Sequence, residues 1–215
     1  MTLKADLQAH LQNELNDPAI AEAVADAVWQ EALSWHAPVI AVGKINAIIA
    51  FTFGNRMLPN GNREPGPVNE ALADAVAALH QRTGARVFAQ WEVAAALRGR
   101  VSVEHVTTIN PARDARGEPV YLSTSGVLEE IARRVSPLSL GCVGVVAFAD
   151  HLYRCIATAR RLDFDAHAPA GVAMPATYDP QSGQAWCRDR LAYLLHDLML
   201  RFAERREGAV GSPWR

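Results

Sequence analysis

Apolar positions along this chain change spacing repeatedly, from every third or fourth residue to short unbroken runs, and these changes mark out its elements. Leu3, Leu7, Leu11 and Leu15 recur every four residues and predict a helix with one apolar stripe. Asn16-Asp17-Pro18 interrupts it, with Asp17 placed to cap a second helix and Pro18 at that helix's first position. The second helix is expected to reach about His36, with Ile20, Val24 and Val28 on its buried face. Residues 1–36 thus read as a helical extension packed on the core; the alternative is a partner-binding or homodimer surface.

Ala37 to Val42 is a short apolar segment broken by Gly43-Lys44. Ile45 to Phe53, rich in β-branched and aromatic residues, predicts the first strand and stops at Gly54-Asn55-Arg56. A turn-rich loop containing Pro59-Asn60-Gly61 and Pro65-Gly66-Pro67 follows. Val68, Leu72, Val76 and Leu79 mark a helix closed by Gly84. Ala85 to Ala89 is the second strand, running into Gln90-Trp91-Glu92 and a short helix over 93–97. Val103 to Ile109 is the third strand, followed by a polar loop with Arg113, Asp114, Arg116 and Glu118. Ser123-Thr124-Ser125 opens a helix carrying Val127, Leu128, Ile131 and Val135. Phe164 to Ala168 is a fifth strand, and a closing helix from about Gln184 has Trp186, Leu191, Leu194, Leu195 and Leu198 as its apolar side.

The fourth strand organises the rest. Val143 to Phe148 is a continuous apolar run, the pattern of a strand covered on both faces. It ends at Asp150, a good N-cap residue, with a helix expected from His151 to about Leu162. Strands alternating with helices from residue 45 onward predict an α/β fold: a doubly wound, mostly parallel sheet of about five strands with helices on both faces and extra N-terminal helices. Residues 37–205 form the α/β domain in this reading, and 206–215 a flexible tail.

Composition narrows the function classes. Half of the 215 residues are hydrophobic and a fifth are charged, an ordinary globular balance. A net charge of −2 offers no broad basic field for nucleic acid and no polybasic run for a membrane surface. No apolar run reaches the length of a membrane-spanning helix, and the first residues lack the apolar core of a signal peptide. Cys142, Cys155 and Cys187 have no paired metal or redox spacing and read as reduced thiols of a cytoplasmic protein. The seven histidines include no helical metal pair, so no metal is expected.

Candidate chemistry gathers at three strand ends, which a parallel sheet would bring to one cleft at its carboxyl edge. His151 and Arg154 share one face of a helix's first turn, where an imidazole, a guanidinium and free N–H groups suit an anionic group. The alternative is that they only cap the sheet edge and pair with nearby carboxylates. Asp150 sits at the same junction. Gly54, Asn55 and Arg56 suit a carboxylate or phosphate, or simply stabilise their loop. Gln90, Trp91 and Glu92 offer a polar group, a ring for stacking and a carboxylate. Glu92 suits a base or an acceptor for a ribose or amine, or a salt bridge to Arg56 or Arg154. Trp91 suits a flat ligand ring or the core. Ser123 and Thr124 suit ligand contacts or helix capping. Cys187 is a nucleophile candidate if Arg188 lowers its pKa, and otherwise a buried, inert thiol. Serine-hydrolase elbows, phosphate-binding loops and dinucleotide fingerprints are absent from the sequence.

The order of these pieces resembles the YdcF/ElyC/SanA-like family, a bacterial α/β domain. The resemblance covers roughly residues 40–205. It rests on the strand from Ile45 ending in Gly54, the helix from Val68 with strand Arg86–Ala89, the Ser123-Thr124 helix start, and His151-x-x-Arg154 with Arg190 and Tyr193 in the closing helix. It implies a Rossmann-like sheet with a ligand cleft at its carboxyl edge; a family member is associated with S-adenosylmethionine binding, which makes that molecule the candidate cofactor, and others are linked to envelope biogenesis. The chain departs from the family pattern in two turns: a glycine-rich one is reduced to Gly54-Asn55-Arg56, and a Ser-Gly-Gly-like one is Gln90-Trp91-Glu92. The expectation is an enzyme acting on a small, anionic or nucleotide-like ligand, with His151 and Glu92 catalytic and transferase or hydrolase chemistry. The alternative is a non-catalytic ligand-binding or regulatory module.

Overall fold

The computed structural model describes residues 2–117 and 120–210, so Glu118 of the polar loop and positions 211–215 of the expected tail lie outside the described residues. The chain forms two compact units. Ala37–Tyr193 is one; the other joins the N-terminal segment up to His36 with the chain from Leu194 onward.

The first of these is built on six parallel strands: β1 (Val39–Ile40), β2 (Ala47–Ala50), β5 (Arg86–Gln90), β6 (Val106–Ile109), β7 (Cys142–Val146) and β8 (Asp165–Pro169), in the order β1-β8-β7-β2-β5-β6. A separate two-stranded ribbon, β3 (Arg56–Met57) with β4 (Arg63–Glu64), lies in the loop after β2. The sequence reading counted five strands. The sixth is β1, a two-residue edge strand against β8, with Ala168 N–H bonding Pro38 O at 2.8 Å and Ala170 N–H bonding Ile40 O at 2.8 Å. Two residues are too few to show a period, so only the neighbour reveals this strand.

Five helices complete the unit or leave from it: α3 (Gly66–Thr83), α4 (Trp91–Ala96), α5 (Thr124–Arg134), α6 (Leu152–Arg161) and the start of α7 (Arg190–Val210). Strand alternation sorts the core into two layers, as a sheet covered on both faces requires. Ile48 and Ala50 of β2 join Val68, Leu72, Val76 and Leu79 of α3 and Val93 of α4. Ala47, Ile49 and Phe51 point the other way, to Val127, Leu128 and Ile131 of α5 and Cys155, Ile156 and Ala159 of α6. Helices on both faces of an all-parallel sheet make a Rossmann-like, doubly wound fold. Gly84 closes α3 in the left-handed conformation, φ +65°, at the predicted position.

Chain order reverses across β2. From β2 the path moves outward to β5 and β6, then returns to β7 on the opposite side of β2 before β8. The carboxyl ends of β2 and β7 therefore flank the topological switch point, where crossover helices leave in opposite directions and open a crevice. Ala50 is level with Ala89 of β5 and with Val146 of β7, so the segments that follow these three adjacent strands emerge at one edge.

In the other unit, Asp17 caps α2 (Pro18–Val28), its Oδ1 accepting from Ala19 N at 3.0 Å and Ile20 N at 3.1 Å. The predicted buried face of α2 is corrected at one position: Ile20 is exposed, while Val24 and Val28 are half-buried beside the buried Ala21 and Ala25. Small alanines let a helix come close to its neighbour, which here is α1 (Leu3–Leu15), joined also by Lys4–Asp26 at 2.6 Å. None of the leucines of α1 is buried. The α-helical geometry of α2 stops at Val28, and a π-helical turn continues to Leu33 rather than His36.

The closing helix is corrected in the same way. It begins at Arg190 after a short 3-10 turn, Ala185–Cys187, and runs to Val210, past the expected tail boundary. Its Leu191 and Leu195 are exposed, whereas Asp197 and Arg201 are fully buried. Arg201 Nε lies 2.7 Å from Asp197 Oδ2, its guanidinium sits 3.9 Å from the centre of the Trp35 ring, and NH1 donates to Glu31 O and Ser34 O. An aromatic face, an ion pair and two carbonyls surround a buried guanidinium that hydropathy alone would place in water.

Candidate functional site at the sheet edge

Phe51-Thr52-Phe53-Gly54-Asn55 leaves β2 at the switch point and is held there from three directions. The Gln90 side chain accepts from Thr52 N–H at 2.8 Å. Asn69, fully buried on the first turn of α3, accepts from Thr52 Oγ1 at 2.7 Å and from Phe53 N–H at 3.0 Å. The same amide donates to Gly54 O at 2.8 Å and Pro65 O at 2.6 Å. One side chain thus satisfies four groups of a loop that has left the sheet ladder, which buried backbone demands. Gly54 itself has φ +69°, and a Cβ there would overlap Ser182 Oγ and press on Cys187 Cβ. Conformation and crowding both require glycine at this position.

Glu92 stands in the first turn of α4, after β5, and is 4 % exposed. Asn55 Nδ2 approaches its Oε1 at a long 3.5 Å, while its Oε2 has no hydrogen-bond partner among the described residues. Burial raises the Glu92 carboxyl from an ordinary 4.5 to about 7, against the opposing pull of its own amide, of the Asn55 and Thr52 side chains and of the charge on Arg63. The expected salt bridge to Arg56 or Arg154 is not what holds it. Arg56 is turned away onto Asp179, with Nε to Oδ2 at 2.8 Å and NH2 to Oδ1 at 3.1 Å. That fork holds Asp179 below the usual carboxylate range and braces the Arg56 loop, the loop-stabilising alternative for this residue.

Arg154 lies on the first turn of α6, buried, with NH1 donating to Thr124 Oγ1 at 3.0 Å. Arg154, Cys187 and Glu92 all lie close enough to the Tyr121 hydroxyl to act on its charge. His151 is buried among aromatic rings, with ring centres at 5.9 Å from Tyr193, 6.2 Å from Phe51 and 6.3 Å from Phe53. Phe53 in turn stacks on Phe148 at 3.9 Å. The edge of the sheet therefore holds a carboxyl, a guanidinium and an imidazole behind an aromatic wall.

Other assignments change. Asp150 is not the N-cap of α6. It sits in a 3-10 turn, Ala149–His151, where it takes a fork from Arg190, Nε to Oδ2 at 3.0 Å and NH2 to Oδ1 at 3.1 Å, and the Tyr178 hydroxyl at 2.8 Å. That network ties the start of α7 to the end of β7. Ser123 caps α5, its Oγ accepting from Gly126 N–H at 3.1 Å, which is the capping alternative. Thr124 instead turns inward to Arg154. Gln90 supports the backbone of Thr52. Trp91 is half-buried and lines an open groove beside the ribbon β3–β4.

The chain matches no protein-family model, no curated protein and no solved structure.

Cys187 is buried, and burial pushes its thiol up to about 12, with Arg154, not Arg188, pulling it down. Arg188 donates Nε to Ser182 O at 2.7 Å. A thiol so poorly ionised is not a nucleophile near neutral pH. Among the described residues, no group of three or more His, Cys, Asp or Glu side chains could hold a metal ion, and no helix is long and apolar enough to cross a membrane.

Asn69, Thr52, Tyr121 and Ser182 were not singled out from the sequence. Asn69 left a trace there: it is a polar residue within the apolar face of α3, between Val68 and Leu72. The other three reach the site through loops and have no period to betray them.

Proposed function

We propose that the carboxyl edge of the sheet between β2 and β7 is the active site of an enzyme acting on a small anionic molecule by acid–base chemistry. The carrying observation is Glu92: a buried carboxyl at the carboxyl end of β5, the strand next to β2, with no ion-pair partner among the described residues and a pKa of about 7. A base poised near neutral pH at the carboxyl edge of a parallel sheet is what proton transfer needs. In this reading Arg154, oriented by Thr124, grips the anionic group. Glu92 takes a proton from the attacking hydroxyl, amine or water. His151, held upright by Phe51, Phe53 and Tyr193, donates to the leaving oxygen. Hydrolysis and group transfer share these steps and differ in whether water or a second substrate attacks.

S-adenosylmethionine, implied by the resemblance, meets an obstacle at Gly54. The room left by that glycine is filled by Ser182 and Cys187 of the chain itself, so the turn after β2 has no open cradle.

The test begins with native mass spectrometry and a thermal-shift panel of metabolites, S-adenosylmethionine included. Affinity, turnover and thermal stability are then measured on three variants. Arg154→Ala should cost roughly 2–4 kcal/mol of binding, and Arg154→Lys should restore only part of it, because a point charge cannot reproduce a planar fork. His151→Asn should leave affinity largely intact while slowing turnover by about 10²–10⁴-fold. Folded variants with unchanged affinity and turnover would sink the proposal; ligand binding without any turnover would convert it into a binding module.

A further inference from the structure

The chemistry proposed above uses the inner end of the sheet edge and leaves the groove beside it unassigned. That groove encloses about 820 Å³, within the usual range of small-molecule sites. Met57, Leu58 and Arg63 of the ribbon β3–β4 and its turn line it, together with Pro111 and Arg113 of the loop after β6 and with Trp91. The ribbon turn is internally braced, Leu58 N–H bonding Asn62 O at 2.8 Å and Gly61 N–H bonding Leu58 O at 2.9 Å.

Its chemistry is one-sided. Met57, Leu58, Trp91 and Pro111 offer flat or flexible apolar surface, while among the described residues the lining contains two guanidinium groups and no carboxylate. Neither Arg63 nor Arg113 has a carboxylate within ion-pair distance among the described residues; Arg113 donates NH1 to Gly117 O at 2.6 Å, leaving other N–H groups for a ligand. Trp91 is the residue immediately before Glu92, and the charge of Arg63 reaches the Glu92 carboxyl, so the groove adjoins the proposed base.

We propose that this groove binds the body of the ligand: a planar aromatic or heterocyclic ring laid against Trp91 and carrying a phosphate held between Arg63 and Arg113. Stacking on an indole tolerates any flat ring, and two arginines from different segments of one groove favour a tetrahedral dianion over a monoanion. The inference takes its place from the active-site reading, to which it adds the substrate class, and it can fail independently.

Adenosine 5′-monophosphate is the probe, with adenosine and inorganic phosphate as partial ligands, titrated by calorimetry into the full chain at low salt. The nucleotide should bind at millimolar or tighter affinity, at least about tenfold more tightly than either part. Arg63→Gln, Arg113→Gln and Trp91→Leu should each weaken it about tenfold. Arg100→Gln, which breaks the surface pairs of Arg100 with Glu70 and Asp74, should leave it unchanged. Arg63 and Arg113 are exposed, so their variants should fold and report binding alone. A nucleotide that binds no better than its parts, or that is indifferent to both Arg63→Gln and Arg113→Gln, overturns the proposal. Loss confined to Arg154→Ala also overturns it and moves the phosphate to the inner cleft. If groove binding follows the expected pattern but the Arg154 and His151 variants lose neither affinity nor turnover for any substrate, the groove stands and the active-site reading falls.

Discussion

Glu92→Gln isolates the energetic consequence of burying a carboxyl at the sheet edge. In the folded chain this group protonates near pH 7; in the unfolded chain it should behave as an ordinary carboxyl near 4.5. Between these values the unfolded state gives up the proton while the folded state keeps it. Fewer protons are then bound in the unfolded state, so stability falls as pH rises across this window and levels off above about pH 7. The full drop is about 3 kcal/mol, at 1.36 kcal/mol for each unit separating the two values. Glutamine keeps the shape and cannot ionise. Its stability relative to the parent should therefore improve by about that amount between pH 4.5 and pH 8. A buried glutamine NH2 where Oε2 now lies adds a cost of its own, but that cost does not vary with pH. Urea unfolding of both proteins at pH 4.5, 5.5, 6.5, 7.5 and 8 gives the difference directly. A gap constant to within roughly 0.5 kcal/mol across that range would mean that Glu92 ionises normally in the fold, and the proposed base would lose its physical basis. With a substrate in hand, kcat/KM should rise through pH 7 in the parent, and that limb should vanish in the variant.

Three further outcomes follow from the same region and its surroundings. Asn69→Ala removes four hydrogen bonds from the β2 loop and should cost about 2–4 kcal/mol by chemical denaturation; a loss below about 0.5 kcal/mol would show the loop finds other partners. Gly54→Ala adds a Cβ in a left-handed conformation and against Ser182 Oγ, and should lower stability by at least about 1 kcal/mol, with Ser182→Gly in the same chain recovering part of it; no recovery would mean that backbone conformation alone sets the cost. All three cysteines are free, so the denatured protein should titrate three thiols without reductant. In the native protein Cys142, partly exposed, should react first, while Cys155 and Cys187 stay protected; fast reaction of Cys187 would contradict its burial.

The sequence carried the sheet's direction and much of its edge chemistry. Runs such as Ile45–Phe53 and Val143–Phe148, alternating with helical patterns such as Val68–Leu79, favour parallel strands with crossovers, because a helix between two strands spans the length of the sheet and lets the next strand start at the same edge. Parallel strands send their carboxyl ends to one side, so Gly54–Arg56, Gln90–Glu92 and His151–Arg154 were bound to share an edge. What they do there was decided by residues distant in sequence. Asp179 takes Arg56, 123 positions away, and Arg190 takes Asp150, 40 positions away; each guanidinium chose the carboxylate the fold brought within reach, and no local pattern encodes that choice. Glu92 looks like any helix-start glutamate in the sequence. Only the loss of water around it, with no cation close enough to pair, raises its pKa to neutrality. The helix faces tell the same story in reverse: Leu191 and Leu195 of α7 and Ile20 of α2 are exposed and Leu194, Leu198, Val24 and Val28 only half-buried, while Arg201 with Asp197, and Ala21 with Ala25, are the buried residues. Hydropathy ranks side chains by their cost of leaving water in isolation; tertiary structure supplies the ion pair, the aromatic face or the close helix that changes the cost.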